Sequence, residues 1–227
     1  MSAAHVRREP DADAAALTAA TLVASAVAEA LTERGTAHVA LSGGSTPVRC
    51  YELLGTLVTD WRMVQLWFCD ERCVEPDHAD SNFRLASAAL QAPRATWHRI
   101  AGEAGPHAAT ADYERQLTGV TLDAALLGLG EDGHTASLFP RHPALQASGR
   151  AVAVTDAPKP PPERVSLSLG TLNQARHLVL LVTANAKAPA LAAALSAPSP
   201  DAPASLLSRD HLTVVTTVDA LTTCPPS

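Results

Sequence analysis

The segment LLGLGEDGHTASLFP, residues 126–140, changes from an apolar run to a glycine-rich loop within a few positions. Its first residues have the composition of a buried strand, and glycines and two acids then precede a single histidine, His134. In an open α/β sheet, ligands bind in the crevice beyond the carboxyl ends of the strands. The composition therefore fits a ligand site, and it equally fits a surface loop with a solvated histidine. Residues 135–138 are predicted to open a helix.

Apolar runs recur along the rest of the chain and alternate with segments of helical composition. The predicted strands are residues 38–41, 64–69, 97–100, 122–129, 151–155, 165–169, 177–183 and 212–217. The predicted helices are residues 11–34, 80–90, 108–117 and 184–195, with another starting near Pro47 and a helical turn at 171–173. This alternation predicts a doubly wound α/β fold, with helices on both faces of a mainly parallel sheet. Residues 165–169 alternate in polarity and are predicted to be an edge or antiparallel strand. No linker or repeat divides the chain, so we expect one domain over residues 1–227.

The alanine-rich segment 11–34 is predicted to be a helix that covers the core and ends at Gly35. The larger apolar residues predicted to face the core are Leu17, Leu22, Val23, Val27 and Leu31. The segment lacks the basic face of a membrane-surface helix. No apolar run approaches the roughly 20 residues that span a bilayer, and the N-terminus lacks the apolar region of a signal peptide. We therefore expect a cytoplasmic protein with no membrane partner.

The composition is that of a globular protein, with 47% hydrophobic and 18% charged residues. The formal net charge is −6 and no segment forms a basic stripe, so nucleic acid is not an expected partner. The cysteines are Cys50, Cys69, Cys73 and Cys224. Their spacing does not match a metal site, so we interpret them as free thiols of a reducing compartment and expect no metal.

A second glycine-containing loop, SGGSTP at residues 42–47, follows the predicted strand 38–41. The Gly43-Gly44 pair allows backbone N–H groups to approach an anion closely, and the hydroxyls of the segment add donors. Pro47 suits the first turn of a helix, whose N-terminus favours an anion. These features favour a phosphate cradle over a plain strand-to-helix connection. The loop matches neither the Walker pattern nor the GxGxxG fingerprint, so a dinucleotide cofactor is not implied.

Two further groups of charged residues follow predicted strands. Asp70, Glu71 and Arg72 follow strand 64–69, where Asp70 could bond a sugar hydroxyl and Arg72 a phosphate. A structural salt bridge at the rim of the sheet explains Asp70 and Glu71 equally well. Lys187 falls in the first helical turn after strand 177–183, where a cation is disfavoured unless it holds an anion. Lys187 and Lys159 are the only lysines among 17 basic residues, which raises the question of their role.

Four blocks of the sequence together resemble the 6-phosphogluconolactonase branch of the glucosamine-6-phosphate isomerase/deaminase-like family. The blocks are LSGGSTP at 41–47, FCDERCVEPDHADSNFRL at 68–85, LLGLGEDGHTASLFP at 126–140 and PPPERVSLSLGTLNQARHLVLLVTANAKAPAL at 160–191. The resemblance implies a modified Rossmann-like fold that requires no cofactor. It also implies hydrolysis of 6-phospho-D-glucono-1,5-lactone to 6-phospho-D-gluconate in the oxidative pentose phosphate pathway.

The resemblance assigns roles to individual residues of this chain. It implies that His134 is the catalytic base and that Gly43, Gly44 and Ser45 form the phosphate-holding loop. Arg72 and Lys187 match an arginine and a lysine of the family's substrate site and are expected to bind substrate or its phosphate, and Arg164 matches an arginine common to the lactonases. The oxyanion formed at the lactone carbonyl is expected to be stabilised either by backbone N–H groups of the glycine loop or by Arg72. From the residue chemistry we add Thr46 to the cradle and Asp70 to the substrate contacts. We also expect Asp132 to orient the imidazole or to hold a substrate hydroxyl.

Two alternatives belong to other functional classes. Sequences of the deaminase branch have Asp-Glu-Tyr where this chain has Asp70-Glu71-Arg72. They also have a glutamate at the position of Phe139. A non-catalytic sugar-phosphate sensor would keep the cradle and Lys187 without needing the acid and the histidine. It would also usually carry a DNA-binding segment, and none is visible in the sequence. The expected partner is the small sugar-phosphate lactone, and the expected assembly is a monomer or a small homo-oligomer.

Overall fold

The computed structural model describes residues 4–217 of the chain. Its strands are β1 (His5–Glu9), β2 (Ala37–Leu41), β3 (Val64–Phe68), β4 (Asp70–Arg72), β5 (Thr96–Trp97), β6 (Ala124–Gly128), β7 (Ala151–Val154), β8 (Arg164–Leu167), β9 (His177–Val182) and β10 (Leu212–Thr217). Its α-helices are α1 (Ala12–Arg34), α2 (Val48–Leu57), α3 (Asn82–Ala89), α4 (Pro106–Gln116), α5 (Leu169–Asn173) and α6 (Ala188–Leu195). Every predicted strand overlaps one of these strands.

Seven strands form one sheet in the order β1-β10-β9-β6-β2-β3-β5, and every adjacent pair is parallel. A second sheet, β4-β8-β7, is antiparallel, as predicted for residues 165–169. The mainly parallel α/β fold is therefore confirmed. The expectation of one domain over the whole chain stays a prediction.

Strand β6 lies inside the parallel sheet, and its sequence shows why. Residues Ala124 to Leu127 are all buried, which is the continuous apolar pattern of a parallel strand covered on both faces. β6 pairs with β9 on one side and β2 on the other. Because the three strands run in the same direction, the loops that follow them emerge at one edge of the sheet. The polar segments after β2, β6 and β9 are therefore brought together.

Helix α1 begins and ends as predicted, with Asp11 as its N-cap and Gly35 in a left-handed conformation after its last turn. Its buried face consists mainly of alanine, whereas Leu17 is 47% exposed, so the prediction that Leu17 faces the core is wrong. Alanine side chains let the helix approach β2, β6, β9 and β10 closely. At 23 residues α1 is also long and apolar enough to cross a membrane, contrary to our expectation that no segment is. Its packing across the sheet gives it the role of a core helix.

Two other features of the structure differ from the sequence-based expectations. β1 and β4 were not predicted, because β1 is a mostly exposed edge strand and β4 has only three residues, all charged. The helix predicted at residues 135–138 does not form, because Ala136 is left-handed and Thr135 bridges to Leu138. Cys50, Cys69 and Cys73 are free thiols as predicted, whereas Cys224 lies outside the described residues.

Both tyrosines of the chain perform the same structural task at the ends of neighbouring strands. The Tyr51 hydroxyl accepts a hydrogen bond from the Ser42 N–H at 2.9 Å and donates one to the Ser42 carbonyl at 2.6 Å. The Tyr113 hydroxyl accepts from the Phe68 N–H at 2.8 Å and donates to the Phe68 carbonyl at 2.9 Å. Each tyrosine thus satisfies two backbone groups where the chain leaves the sheet, as burial requires.

We expect Tyr113→Phe to lower the free energy of unfolding by about 1–3 kcal/mol, because it leaves the buried N–H and carbonyl of Phe68 without their partner. Denaturant unfolding followed by circular dichroism measures the change. Thr118→Val, which removes an exposed hydroxyl at the end of the same helix, is the control and should stay within about 0.5 kcal/mol. Equal destabilisation by the two variants would contradict the role given to Tyr113.

Candidate functional site

A cleft of about 360 Å³ lies beyond the carboxyl ends of β2 and β6 and is also lined by residues of β4. The predicted site residues that line it are Gly43, Gly44, Ser45, Thr46, Asp70, Arg72, His134, Arg164 and Lys187. Asp132 is the other predicted residue, and it reaches the cleft through its contact with the His134 ring. The sequence-based prediction therefore selected residues that the fold brings together from five separate segments.

The loop that follows β2 is shaped by two different requirements for glycine. Gly44 has a φ of +86°, a left-handed conformation that residues with a Cβ rarely adopt. Gly43 instead needs room, because a Cβ there would lie 1.8 Å from Oδ1 of the buried Asn82 side chain. Asn82 therefore packs directly on the loop backbone, which leaves the other side of the loop open to the cleft.

His134 is held against the loop that follows β6. Its Nδ1 contacts Oδ1 of Asp132, and its ring lies 4.7 Å from the ring of Phe139. Gly130 makes this position possible, because a Cβ on Gly130 would lie 2.1 Å from Nδ1 of His134. Since Nδ1 is engaged with the carboxylate, Nε2 is the ring nitrogen left to exchange a proton with a ligand.

The surroundings of this pair set its protonation. Burial lowers the pKa of the His134 imidazole below its ordinary value of 6.5, and the nearby Asp132 carboxylate offsets part of that shift. For Asp132, burial acts to raise the pKa, but the hydrogen bond and charge of His134 bring it below 3.8. At neutral pH the pair is therefore a neutral imidazole beside a carboxylate, which is the state of a general base.

Asp70 is a buried anchor between segments. Its Oδ2 accepts a hydrogen bond from the Ser137 hydroxyl at 2.6 Å, and its Oδ1 accepts one from the Asn82 amide at 3.1 Å. Asp70 thereby links β4 to the histidine block and to the side chain packed on Gly43. It lines the cleft as predicted, but both carboxylate oxygens already have protein partners.

Glu71 and Arg72 are neighbours with different roles: Glu71 is structural, and Arg72 lines the cleft. Glu71 is buried and accepts hydrogen bonds from the backbone N–H groups of Arg72, Asn82 and Phe83, so it ties β4 to the start of α3. Burial raises the pKa of its carboxyl, and these donors oppose the rise. Arg72 donates from Nη1 to the Asp80 carbonyl at 2.8 Å. Its Nε is buried and has no hydrogen-bond partner among the described residues, and the residue lines the cleft.

Arg164 is fixed by the backbone that precedes it. Its Nε donates to the Pro161 carbonyl at 2.9 Å, and Nη2 donates to the carbonyls of Lys159 and Pro160 at 3.0 and 3.2 Å. The guanidinium also lies 5.5 Å from the centre of the Phe139 ring. Burial lowers its pKa, although Asp70 and Asp80 act in the opposite direction. Two of its three guanidinium nitrogens therefore already donate hydrogen bonds to the protein.

Both lysines of the chain line the cleft. Lys187 immediately precedes α6, and burial lowers the pKa of its ammonium below 10.5 while Glu131 acts to raise it. Lys159 was not among the predicted site residues, yet its Nζ lies 3.9 Å from Oδ1 of Asp132. The rarity of lysine in this sequence was the signal that pointed to Lys159.

The chain belongs to the family described as glucosamine-6-phosphate isomerases/6-phosphogluconolactonase, whose model matches residues 10–216. It is 37% identical over 183 residues to the 6-phosphogluconolactonase of Synechocystis sp., covering 74% of this chain and 75% of that protein. It is 34% identical over 211 residues to that of Mycobacterium tuberculosis, covering 84% and 85%. The crystal structure of a 6-phosphogluconolactonase from Shewanella baltica superposes with a TM-score of 0.85 at 28% identity, covering 94% of this chain and 97% of that one. The family resemblance read from the sequence is confirmed.

We expect Gly43→Ala to lower the free energy of unfolding by about 1–3 kcal/mol, because the added methyl group overlaps the buried Asn82 amide. Gly170→Ala is the matched control, since a Cβ there meets nothing nearer than the Ser168 hydroxyl at 3.7 Å. Chemical denaturation of both variants measures the difference. Asn82→Ala removes the overlapping atoms, so the double variant should lose less than the sum of the single changes. Additive losses would contradict the proposed contact.

Proposed function

We propose that this protein hydrolyses 6-phospho-D-glucono-1,5-lactone to 6-phospho-D-gluconate, with His134 as the general base. One observation carries the proposal: the His134–Asp132 pair, the 43–46 loop and Lys187 all border a single cleft. One part of the cleft suits proton transfer and another suits an anion. A phosphorylated sugar lactone requires both of these in one site.

The reaction needs a base near the lactone carbonyl. Nε2 of the neutral His134 takes a proton from water as the water oxygen adds to C1, and the carbonyl becomes an oxyanion. Collapse of that intermediate breaks the bond between C1 and the ring oxygen, which receives the proton from His134. The product acid then ionises, so one water molecule is consumed and one proton is released. Asp132 keeps the imidazole oriented and stabilises its transient positive charge.

The phosphate is assigned to the loop after β2 and to Lys187. Gly43, Gly44, Ser45 and Thr46 line the cleft, and the backbone N–H groups and hydroxyls of such a loop suit a phosphate. Arg72 supplies a partly free guanidinium on the same cleft. Binding energy from this end positions the distant C1 atom against the base.

Two features favour hydrolysis over the deaminase and sensor alternatives. Phe139 packs on the His134 ring at the position where deaminases carry a glutamate. The extra acid that suits ring opening and isomerisation is therefore replaced by an apolar contact. A sensor has no need for a carboxylate-oriented imidazole on its ligand cleft. Cytoplasmic location, absence of a cofactor and a monomeric or small homo-oligomeric state accompany the proposal as predictions.

We expect purified protein to release acid from the phosphorylated lactone faster than spontaneous hydrolysis, and His134→Ala to lose about 10²–10⁴-fold in kcat. A pH indicator follows acid release. His177→Ala is the matched control, because His177 starts β9 at the opposite edge of the sheet and should leave the rate unchanged. Each variant is first shown by circular dichroism to be folded. Full activity of His134→Ala would reject the base, and ammonia release from glucosamine 6-phosphate would favour the deaminase.

The pH profile tests the same pair. A pKa below 6.5 for His134 means that kcat/KM should decline only at acidic pH, with its inflection below 6.5. Asp132→Asn removes a charge that favours the imidazolium, so the inflection should move to still lower pH while the plateau falls. Profiles of kcat/KM against pH for both proteins provide the measurement. An upward movement of the inflection in Asp132→Asn would contradict the assigned contact.

A further inference from the structure

The 157–162 strap is the proline-rich segment that carries Lys159 to the cleft. The Ala157 N–H donates to the Pro162 carbonyl at 2.9 Å and closes the strap on itself. Arg164 then binds the carbonyls of Lys159, Pro160 and Pro161 with one guanidinium. The backbone of Lys159 is therefore fixed, although its side chain is 46% exposed and can move.

The ammonium of Lys159 lies on the same side of the cleft as the base. Its Nζ is 3.9 Å from Oδ1 of Asp132, which is the oxygen that Nδ1 of His134 contacts. That separation exceeds a hydrogen-bond distance, and within residues 4–217 no protein acceptor takes a hydrogen bond from this ammonium. Its three donors are thus available to a ligand.

The charge of Lys159 acts on both functional ends of the cleft. After burial, which is the larger cause, the Lys159 charge contributes to lowering the pKa of His134 and also that of Lys187. The cleft therefore contains two mutually repelling ammonium groups. An anionic ligand that contacts both relieves this repulsion.

We propose that Lys159 is a substrate-contacting residue that binds the oxyanion formed at C1 and then the carboxylate of the product. This inference rests on the proposed function, in which the lactone has one anionic group and the product has two. In that function the phosphate is bound by Lys187 and the loop after β2, so the new negative charge develops beside His134, and Lys159 lies next to the Asp132 partner of His134. A flexible compact cation suits a charge that appears only during the reaction.

Lys159 and Lys187 should therefore have separable effects. Lys159→Met should lower kcat more than it raises KM, because the lactone carbonyl is uncharged until water adds. Lys187→Met should mainly raise KM. Lys159→Arg should keep part of the activity, and Arg62→Met, which removes an exposed cation paired with Asp60, is the control with an unchanged rate.

The decisive comparison uses two ligands that differ only at C1. D-Glucitol 6-phosphate has a hydroxymethyl group where 6-phospho-D-gluconate has a carboxylate. We expect isothermal calorimetry to show tighter binding of 6-phosphogluconate to the wild-type protein, and Lys159→Met to weaken it about ten- to hundredfold. The same variant should leave the dissociation constant of glucitol 6-phosphate unchanged, whereas Lys187→Met should weaken both ligands.

Amine labelling gives a second readout that does not need a variant, because the chain has only two lysines. Reductive methylation followed by mass spectrometry should show that 6-phosphogluconate protects both lysines and that glucitol 6-phosphate protects Lys187 more than Lys159. Unchanged 6-phosphogluconate binding in Lys159→Met, or unprotected Lys159, would overturn the inference. Lactone hydrolysis by the wild-type protein is scored separately, so the proposed function can stand when the inference fails.

Discussion

The buried Asp70 carboxylate joins the parts of the site that the chain supplies from separate places. Its two oxygens bind the Ser137 hydroxyl and the Asn82 amide, and its backbone pairs with Ser166 in the antiparallel sheet. Through these contacts Asp70 connects the histidine block, the Asn82 side chain that packs on Gly43, and the strand that begins with Arg164. A buried carboxylate is costly unless it is hydrogen-bonded, and these donors make its burial tolerable. Asp70 thus connects several of the segments that line the cleft, and the parallel sheet places those segments at one edge.

Glycine serves the site mainly by giving side chains room. Gly43 lies under Asn82, and Gly130 lies under His134 and Asp132, at distances where any Cβ would collide. In both places a side chain packs on bare backbone and is fixed there. This packing restricts the conformations of the groups that meet a ligand, which is a form of preorganisation. Sequence patterns show such glycines, but they do not show which side chain occupies the space.

The sequence predicted the frame well because its strands are buried on both faces and end in polar loops. That pattern placed the 42–47 loop, His134 and Lys187 at one edge of the sheet. It was less informative where tertiary contacts decide the outcome. Residues 135–138 have helical composition, yet Ser137 and Thr135 bind Asp70 and the Gly128 carbonyl instead. The partners of Arg164 are backbone carbonyls of a folded strap, which no residue pattern reveals.

Charge in this protein is distributed so that local and overall signs differ. The chain carries a formal charge of −6, yet Arg72, Lys159, Arg164 and Lys187 all border the one cleft. A concave site with low-dielectric walls concentrates the potential of its own charges, so an anion is attracted there although the molecule as a whole is negative. The acidic exterior also disfavours nonspecific anion binding elsewhere. Arg164 donates its hydrogen bonds to the strap, whereas no protein acceptor within residues 4–217 takes a hydrogen bond from the ammonium groups of the two lysines. The two lysines of the chain thus differ from Arg164, because their charges are available to an anion in the cleft.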